Sequence, residues 1–169
     1  MRSIAPLVAI SLLVGAPAAR ADDVTFYDKA AQGGIAEVMA GKMAARKAMN
    51  GEVRDFGAMM VKDHGAANKK LAAIAESKGI KLPETAGEAH LAEYKSLQSE
   101  QGARFDAAYL ASQVKAHEET VQLLKSEIAS GQDTEAKAFA QEILPTVEAH
   151  LREAQRLGGK APAAAGTPE

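Results

Sequence analysis

The chain has 169 residues, a formal net charge of −2 at pH 7 and no cysteine. This length is enough for one domain with a sizeable apolar core. The absence of cysteine excludes disulfides, thiolate metal sites and cysteine nucleophiles, and a slightly acidic chain without an aromatic-rich basic patch gives no electrostatic basis for nucleic-acid binding.

Residues 1–21 have the three parts of a secretory signal peptide. Arg2 supplies the positive start, an apolar run from Ile4 to Val14 follows, and Ala19-Arg20-Ala21 has the small-x-small pattern of a cleavage site. The apolar run is too short to cross a bilayer as a helix. We therefore expect an exported protein, most simply periplasmic, whose mature chain begins near Asp22 and contains no integral membrane segment.

The first half of the mature chain predicts two long helices joined by a tight turn. Its composition, rich in Ala, Glu, Lys, Leu and Met, favours helix. The first helix is expected from about Asp23 to Met49, the turn at Asn50-Gly51, and the second helix from about Glu52 to Lys78. Positions that recur every three or four residues define an inner line on each helix. These lines are Phe26, Ala30, Gly33, Glu37, Ala40 and Ala44 on the first helix, and Phe56, Met60, His64, Ala67, Leu71 and Ile74 on the second.

The second half predicts another helical pair after a long connection. Residues 80–102 form this connection, and their second half can form a short surface helix. The third long helix is expected from about Ala103 to Ser130, with Asp106 capping or pairing at its start. Asp133 is a plausible N-cap for the last helix, which ends near Leu157 and is kinked or split at Pro145. Residues 158–169, rich in Gly and Pro, are expected to be a disordered tail.

These elements predict an all-α fold, a four-helix bundle over residues 22–157 with a short extra helix between the second and third long helices. The two tight turns make the helices of each pair antiparallel. The connection is long enough for the crossover found in ferritin-like bundles, although an up-and-down arrangement is also possible.

Each long helix carries one potential metal ligand on its inner line. These four residues are Glu37, His64, His117 and His150. Glu37 and His64 lie equally far from the centre of the first turn, and His117 and His150 are level to within about 3 Å at the helical rise. Three imidazoles and a carboxylate at one level suit a four-coordinate divalent metal ion such as zinc or copper.

Two other interpretations stay open. Histidines on apolar helix faces are commonly core residues bonded to a carbonyl or hydroxyl group, in which case the bundle is a structural or interaction protein whose partner the sequence does not identify. If Glu37 does not bind the metal directly, a water molecule can occupy the fourth position. A hydrolytic role, or a redox enzyme with copper or iron, then becomes possible.

Four stretches of the chain resemble a known family. They are "EVMAGKMA" around Glu37, "FGAMMVKDH" ending at His64, "FDAAYLASQVKAHEETVQLL" around His117, and "ILPTVEAHLREA" around His150. They are similar to a bacterial ferritin-like family of domains of unknown function that is often labelled "predicted outer membrane protein". The resemblance covers about residues 24–157, and it implies an exported helical bundle with no established enzymatic activity.

The chain departs from ferritins at the metal-binding motif. A di-iron site in a ferritin-like bundle needs Glu-x-x-His on two helices. Here Val61 lies three residues before His64, and Val147 lies three residues before His150. We therefore expect one mononuclear site and no di-iron centre.

Overall fold

The computed structural model describes residues 21–159, and every regular element in that part of the chain is an α-helix. The five helices are α1 (Ala21–Lys47), α2 (Gly51–Ser77), α3 (Glu88–Ser99), α4 (Gly102–Ser130) and α5 (Thr134–Gly158). The predicted all-α fold, with four long helices and a short one in the connection, is confirmed. The predicted leader and tail lie outside the described residues, apart from Ala21, Gly158 and Gly159.

Side-chain caps explain where α2 and α5 begin. Asn50 accepts a hydrogen bond from the backbone N–H of Glu52 at 2.9 Å. Asp133 accepts from the backbone N–H groups of Glu135 and Ala136 at 2.9 and 3.2 Å. These caps satisfy donors that have no partner within their own helix. The predicted N-cap at Asp133 is confirmed. The predicted turn between the first two helices is present but lies over residues 48–50, because Asn50 is the N-cap and Gly51 already belongs to α2.

The last helix runs through its proline without a break. α5 is continuous from Thr134 to Gly158 with Pro145 inside it. Proline has no N–H to donate, so one intrahelical hydrogen bond is missing at this point. Pro145 is exposed. The alternative of a helix split at Pro145 is wrong.

Contacts between distant residues set the directions of the helices. The start of α4 lies at the end of α1, because Asp106 accepts a hydrogen bond from the N–H of Asn50 at 2.8 Å. The start of α5 lies at the start of α1, because the Tyr27 hydroxyl donates to Asp133 at 3.1 Å. Helices α1 and α5 therefore run in one direction and α2 and α4 in the other. The connection after α2 must cross the length of the bundle, as in ferritin-like folds.

Helices α1 and α2 approach each other at backbone distance through small residues. A Cβ atom added to Gly57 would lie 2.8 Å from the Cβ of Ala44 and 2.8 Å from the backbone oxygen of Gly41. Carbon atoms pack favourably at about 3.5–4.0 Å, so this crossing point accepts only glycine without a shift of the helices. Helix α1 also packs against α4 and α3.

The apolar core is divided into two clusters. The cluster near the α1–α2 turn includes Phe56, Met60, Phe105, Leu110 and Leu157. The cluster at the opposite end includes Phe26, Leu71, Leu124, Phe139 and Val147. On every long helix, the predicted ligand residue falls between the two clusters. A layer of buried polar side chains therefore crosses the middle of the bundle. None of the helices in residues 21–159 is both long and apolar enough to span a bilayer.

Candidate metal centre

Three inward-facing histidines meet in the polar layer, one each from α2, α4 and α5. The ring centroids of His64, His117 and His150 lie 5.5, 5.4 and 5.6 Å apart in pairs. Their exposed fractions are 9%, 1% and 3%. One ring nitrogen of each lies within 4.8 Å of the other two. Counting residues from the turns therefore predicted the level of these three side chains correctly.

The imidazole of His117 is oriented by the backbone of its own helix. Its Nδ1 lies 2.9 Å from the carbonyl oxygen of Gln113, one turn earlier. A carbonyl oxygen only accepts, so Nδ1 carries the proton and Nε2 presents a lone pair. That Nε2 atom is buried and has no hydrogen-bond partner among the described residues.

The imidazole of His150 is oriented by a carboxylate on another helix. Its Nε2 lies 3.1 Å from Oδ2 of Asp63 on α2. With the Nε2–H donated to this carboxylate, Nδ1 presents the lone pair, and Nδ1 is buried without a partner among the described residues. A ring nitrogen that donates to a carboxylate or carbonyl while the other stays free is the arrangement of metal-ligating histidines.

Burial keeps the three imidazoles neutral. It lowers the pKa of His64 to about 3, with smaller effects from the neighbouring His117 and His150. Burial also lowers the pKa of His117 to about 4, against the effect of its bond to Gln113. The pKa of His150 is lowered by burial as well, although the hydrogen bond to Asp63 opposes this. Neutral imidazole is the form that binds a metal ion. Nε2 of His64 is the third buried ring nitrogen with no hydrogen-bond partner in the described region.

The spacing of the nitrogens is close to what a metal ion needs. A point equidistant from three atoms 4.8 Å apart lies about 2.8 Å from each, whereas zinc–imidazole bonds are about 2.0–2.1 Å long. Side-chain shifts of less than about 1 Å would therefore bring the three nitrogens to bonding distance. The three histidines can hold one metal ion.

Glu37 lies at the same level but behind His117. Its Oε1 is 3.9 Å from Nδ1 of His117, the nitrogen that faces the Gln113 carbonyl. It is therefore not part of the group of mutually close ligand atoms. Burial raises the pKa of Glu37 to about 7, against the effect of a hydrogen bond from the Gln113 side chain. The structure thus brings three of the four predicted ligands together and leaves Glu37 outside, so ligation by Glu37 stays a prediction.

Asp63 and Gln113 orient two of the histidines. The sequence predicts that Asp63 is either solvated or a support for a metal ligand, and it gives no signal for the role of Gln113. Asp63 is adjacent to His64 in sequence, but on a helix adjacent side chains diverge by about 100°. Its carboxylate instead meets His150 on α5. Helical periodicity along α2 contains no signal for this contact, because the contact depends on how α2 and α5 are paired.

A groove between α2 and α5 reaches the site from the surface. It has a volume of about 420 Å³, and its lining includes Asp63, His64, Lys70, Thr146 and His150. A second groove of about 690 Å³ on the same face also reaches Asp63 and His150. Two of the three histidines are therefore accessible from this face.

The described geometry can be compared with known proteins. A family model described as "Domain of unknown function (DUF4142)" matches residues 13–157. The comparison with curated proteins gives no match. Among solved structures, the fold is similar to that of a DUF305 fragment from Deinococcus radiodurans, with a TM-score of 0.72 and 18% identity over 85% of this chain and 99% of that chain. At this identity the similarity concerns the fold alone. The label "predicted outer membrane protein" is not confirmed by these comparisons.

Proposed function

The chain belongs to the DUF4142 family of domains of unknown function, and we propose that its bundle binds one divalent metal ion, zinc or copper. His64, His117 and His150 hold the ion. Glu37 and Asp63 place negative charge close to it, beside His117 and His150. The ion is carried or buffered in the periplasm, where the signal-like sequence of residues 1–21 would send the protein.

One observation carries the proposal. Three buried ring nitrogens, on His64, His117 and His150, have no hydrogen-bond partner in residues 21–159, and each of these histidines has a ring nitrogen within 4.8 Å of the other two. A buried polar atom without a partner costs about 1–3 kcal/mol, so three together are a substantial penalty. One metal ion would bind all three nitrogens at once. This supports metal binding over the interpretation that the histidines are ordinary core residues.

The donor set favours zinc or copper. Neutral imidazole suits both ions, whereas Mg²⁺ and Ca²⁺ prefer oxygen ligands. Three imidazoles leave the fourth position of a tetrahedral ion for water or for the Glu37 carboxylate. When bound, the ion would act as a Lewis acid toward whatever occupies that position.

Metal content and stability test the proposal. The mature protein, purified without a histidine tag, should contain about one equivalent of zinc or copper by mass spectrometry. Its melting temperature should fall when a chelator is added, because an ion that binds only the folded state stabilises it by about 2.7 kcal/mol at one hundred times its dissociation constant.

Histidine variants supply the control. His64→Ala and His117→Ala should lose both the bound metal and the chelator response. His90→Ala should retain both, because His90 lies on α3 and is not part of the three-histidine group. If the wild-type protein binds no metal, the structural or interaction bundle becomes the better function.

The open groove favours a second candidate, a mononuclear copper or iron redox enzyme. The groove reaches His64 and His150, and the Glu37 carboxylate lies outside the group of three histidines. A small oxidant such as peroxide could then reach the ion. Copper-loaded protein that consumes peroxide catalytically, in a manner abolished by His117→Ala, would support this candidate over a carrier.

A further inference from the structure

We infer that the metal ion enters and leaves through the face between α2 and α5, and that Asp63 is the positioning residue of this route. The inference rests on the proposed metal-binding function and adds the direction of exchange. It implies a site that exchanges its ion, as a carrier or buffer requires, instead of one that locks it in.

On two other faces of the bundle, no groove described here is lined by any of the three histidines. Between α1 and α2, the glycine crossing at Gly41 and Gly57 brings the backbones into contact. Above Gly34 the side chain of Asn68 occupies the space that a Cβ would need. The face between α1 and α4 is partly covered by α3, whose Tyr94 and Leu97 pack toward α1 and α4. A groove of about 510 Å³ on this side reaches Glu37 but none of the three histidines.

The α2–α5 face is open and carries an excess of negative charge. The two grooves on this face meet at Asp63, Thr146 and His150. Five carboxylates and two basic side chains line them. The carboxylates are Glu52, Asp55, Asp63, Glu142 and Glu153, and the bases are Lys70 and Arg156. A cleft with an excess of carboxylates concentrates cations from solution.

Asp63 links this surface to the site. Its side chain is 30% exposed, and its Oδ2 holds Nε2 of His150 at 3.1 Å. Because it accepts the hydrogen bond from Nε2–H, it leaves the lone pair on Nδ1 of His150, a buried nitrogen with no partner in the described residues. His117, in contrast, is held by a backbone carbonyl at a position that is 1% exposed. His117 is therefore held in place deep inside the bundle, whereas His150 is held by Asp63, which faces the proposed route of exchange.

Zinc exchange kinetics test the route. We would load the mature protein with Zn²⁺ and follow its release to a chromogenic chelator and its uptake from solution. Thr146→Trp places a large side chain on the α2–α5 groove at an exposed position. Gln122→Trp is the matched control, because Gln122 is exposed and lines a groove on the α1–α4 side.

Blocking the true route should slow uptake and release equally and leave the dissociation constant unchanged. We expect Thr146→Trp to slow both rates by about tenfold or more, because the obstructed groove raises the barrier in both directions. Gln122→Trp should exchange zinc at the wild-type rate. The inference is overturned if Thr146→Trp exchanges Zn²⁺ at the wild-type rate, or if only Gln122→Trp is slowed. Either result leaves the proposed function intact. A wild-type protein that binds neither Zn²⁺ nor copper ions removes the proposed function and the inference together.

A second pair of variants tests Asp63. Asp63→Asn should weaken Zn²⁺ binding by about 10–100-fold, the usual effect of removing a carboxylate that orients a histidine ligand. It should also change the ¹⁵N tautomer signature of His150 in the metal-free protein. Asp55→Asn makes the same change of charge on the same face without touching His150. It should weaken Zn²⁺ binding much less than Asp63→Asn and leave the tautomer signature of His150 unchanged. Equal effects of the two variants would reduce Asp63 to a contributor of surface charge and overturn its positioning role.

Discussion

The carboxylate of Asp106 accepts hydrogen bonds from the backbone N–H groups of Met49 and Asn50, at 2.9 and 2.8 Å, across more than fifty residues of sequence. This contact joins the start of α4 to the turn between α1 and α2. It fixes the height of one helical pair relative to the other. The level of His117 relative to His64 follows from that height.

Removing the Asp106 carboxylate should therefore destabilise the protein strongly. Asp106→Ala leaves two backbone donors without their partner in a part-buried turn, and we expect a loss of about 2–4 kcal/mol in the free energy of unfolding. Asp106→Asn retains one acceptor and should lose roughly half as much. Urea denaturation of the metal-free protein measures both, and an Ala variant as stable as wild type would contradict the structural role.

Two glycines of α2 should respond in opposite directions to alanine. Gly57→Ala forces the new Cβ against Ala44 and the backbone of α1, and should destabilise the protein by about 1–3 kcal/mol. Gly65→Ala meets no atom within 4 Å and should stabilise by about 0.5–1 kcal/mol, because alanine is the better helix former. Thermal unfolding by circular dichroism compares the two, and similar shifts would mean that α1 and α2 are less closely packed than described.

Two buried tyrosines provide another contrast. Tyr27 donates its hydroxyl proton to Asp133, so Tyr27→Phe should cost about 1–2 kcal/mol. The hydroxyl of Tyr109 is buried with no partner in residues 21–159, so Tyr109→Phe should be neutral or stabilising. Chemical denaturation gives both values. Equal losses would indicate that the Tyr109 hydroxyl has a partner after all, for example an ordered water.

The metal-free protein should lose stability in mild acid. The folded pKa values of His64 and His117, about 3 and about 4, lie below the ordinary imidazole value of 6.5. Below pH 6.5 the unfolded chain therefore binds protons that the folded chain does not. The stabilising contribution is complete above pH 6.5 and is lost as the pH falls through the folded values. In His64→Leu, the free energy of unfolding should depend less steeply on pH between pH 6.5 and 4. A dependence as steep as that of the wild type would contradict the lowered pKa of His64.

Glu37 should have the opposite pH dependence. Its folded pKa of about 7 lies above the ordinary value of 4.5, so its contribution is present below pH 4.5 and is lost as the pH rises through 7. Glu37→Gln removes the carboxylate that must ionise while buried. The variant should gain stability over wild type as the pH rises, by on the order of 3 kcal/mol at pH 8. The measurement is the free energy of unfolding of both metal-free proteins at pH 5 and pH 8. If the variant and the wild type differ by the same amount at both pH values, the raised pKa of Glu37 is ruled out.

Much of the fold could be predicted from local sequence. The cap at Asp133, the short helix in the connection and a tight turn before the second helix follow from the sequence, and the structure contains all three, with the turn at residues 48–50 instead of 50–51. The four inner-line residues, Glu37 and the three histidines, are all buried. These features depend on helical periodicity and on capping chemistry, both of which act within a few residues along the chain.

The sequence by itself determined which residues share a helix face and at roughly what height each one lies. The tertiary structure alone decided that α2 is paired with α5, which brings Asp63 to His150, and that the connection crosses the bundle. It also decided that Glu37 stands behind His117, beside the nitrogen bonded to Gln113, and not within the group of three histidines. The physical reason is that periodicity fixes a side chain relative to its own helix axis, whereas the lateral placement of one helix against another depends on packing between residues far apart in sequence.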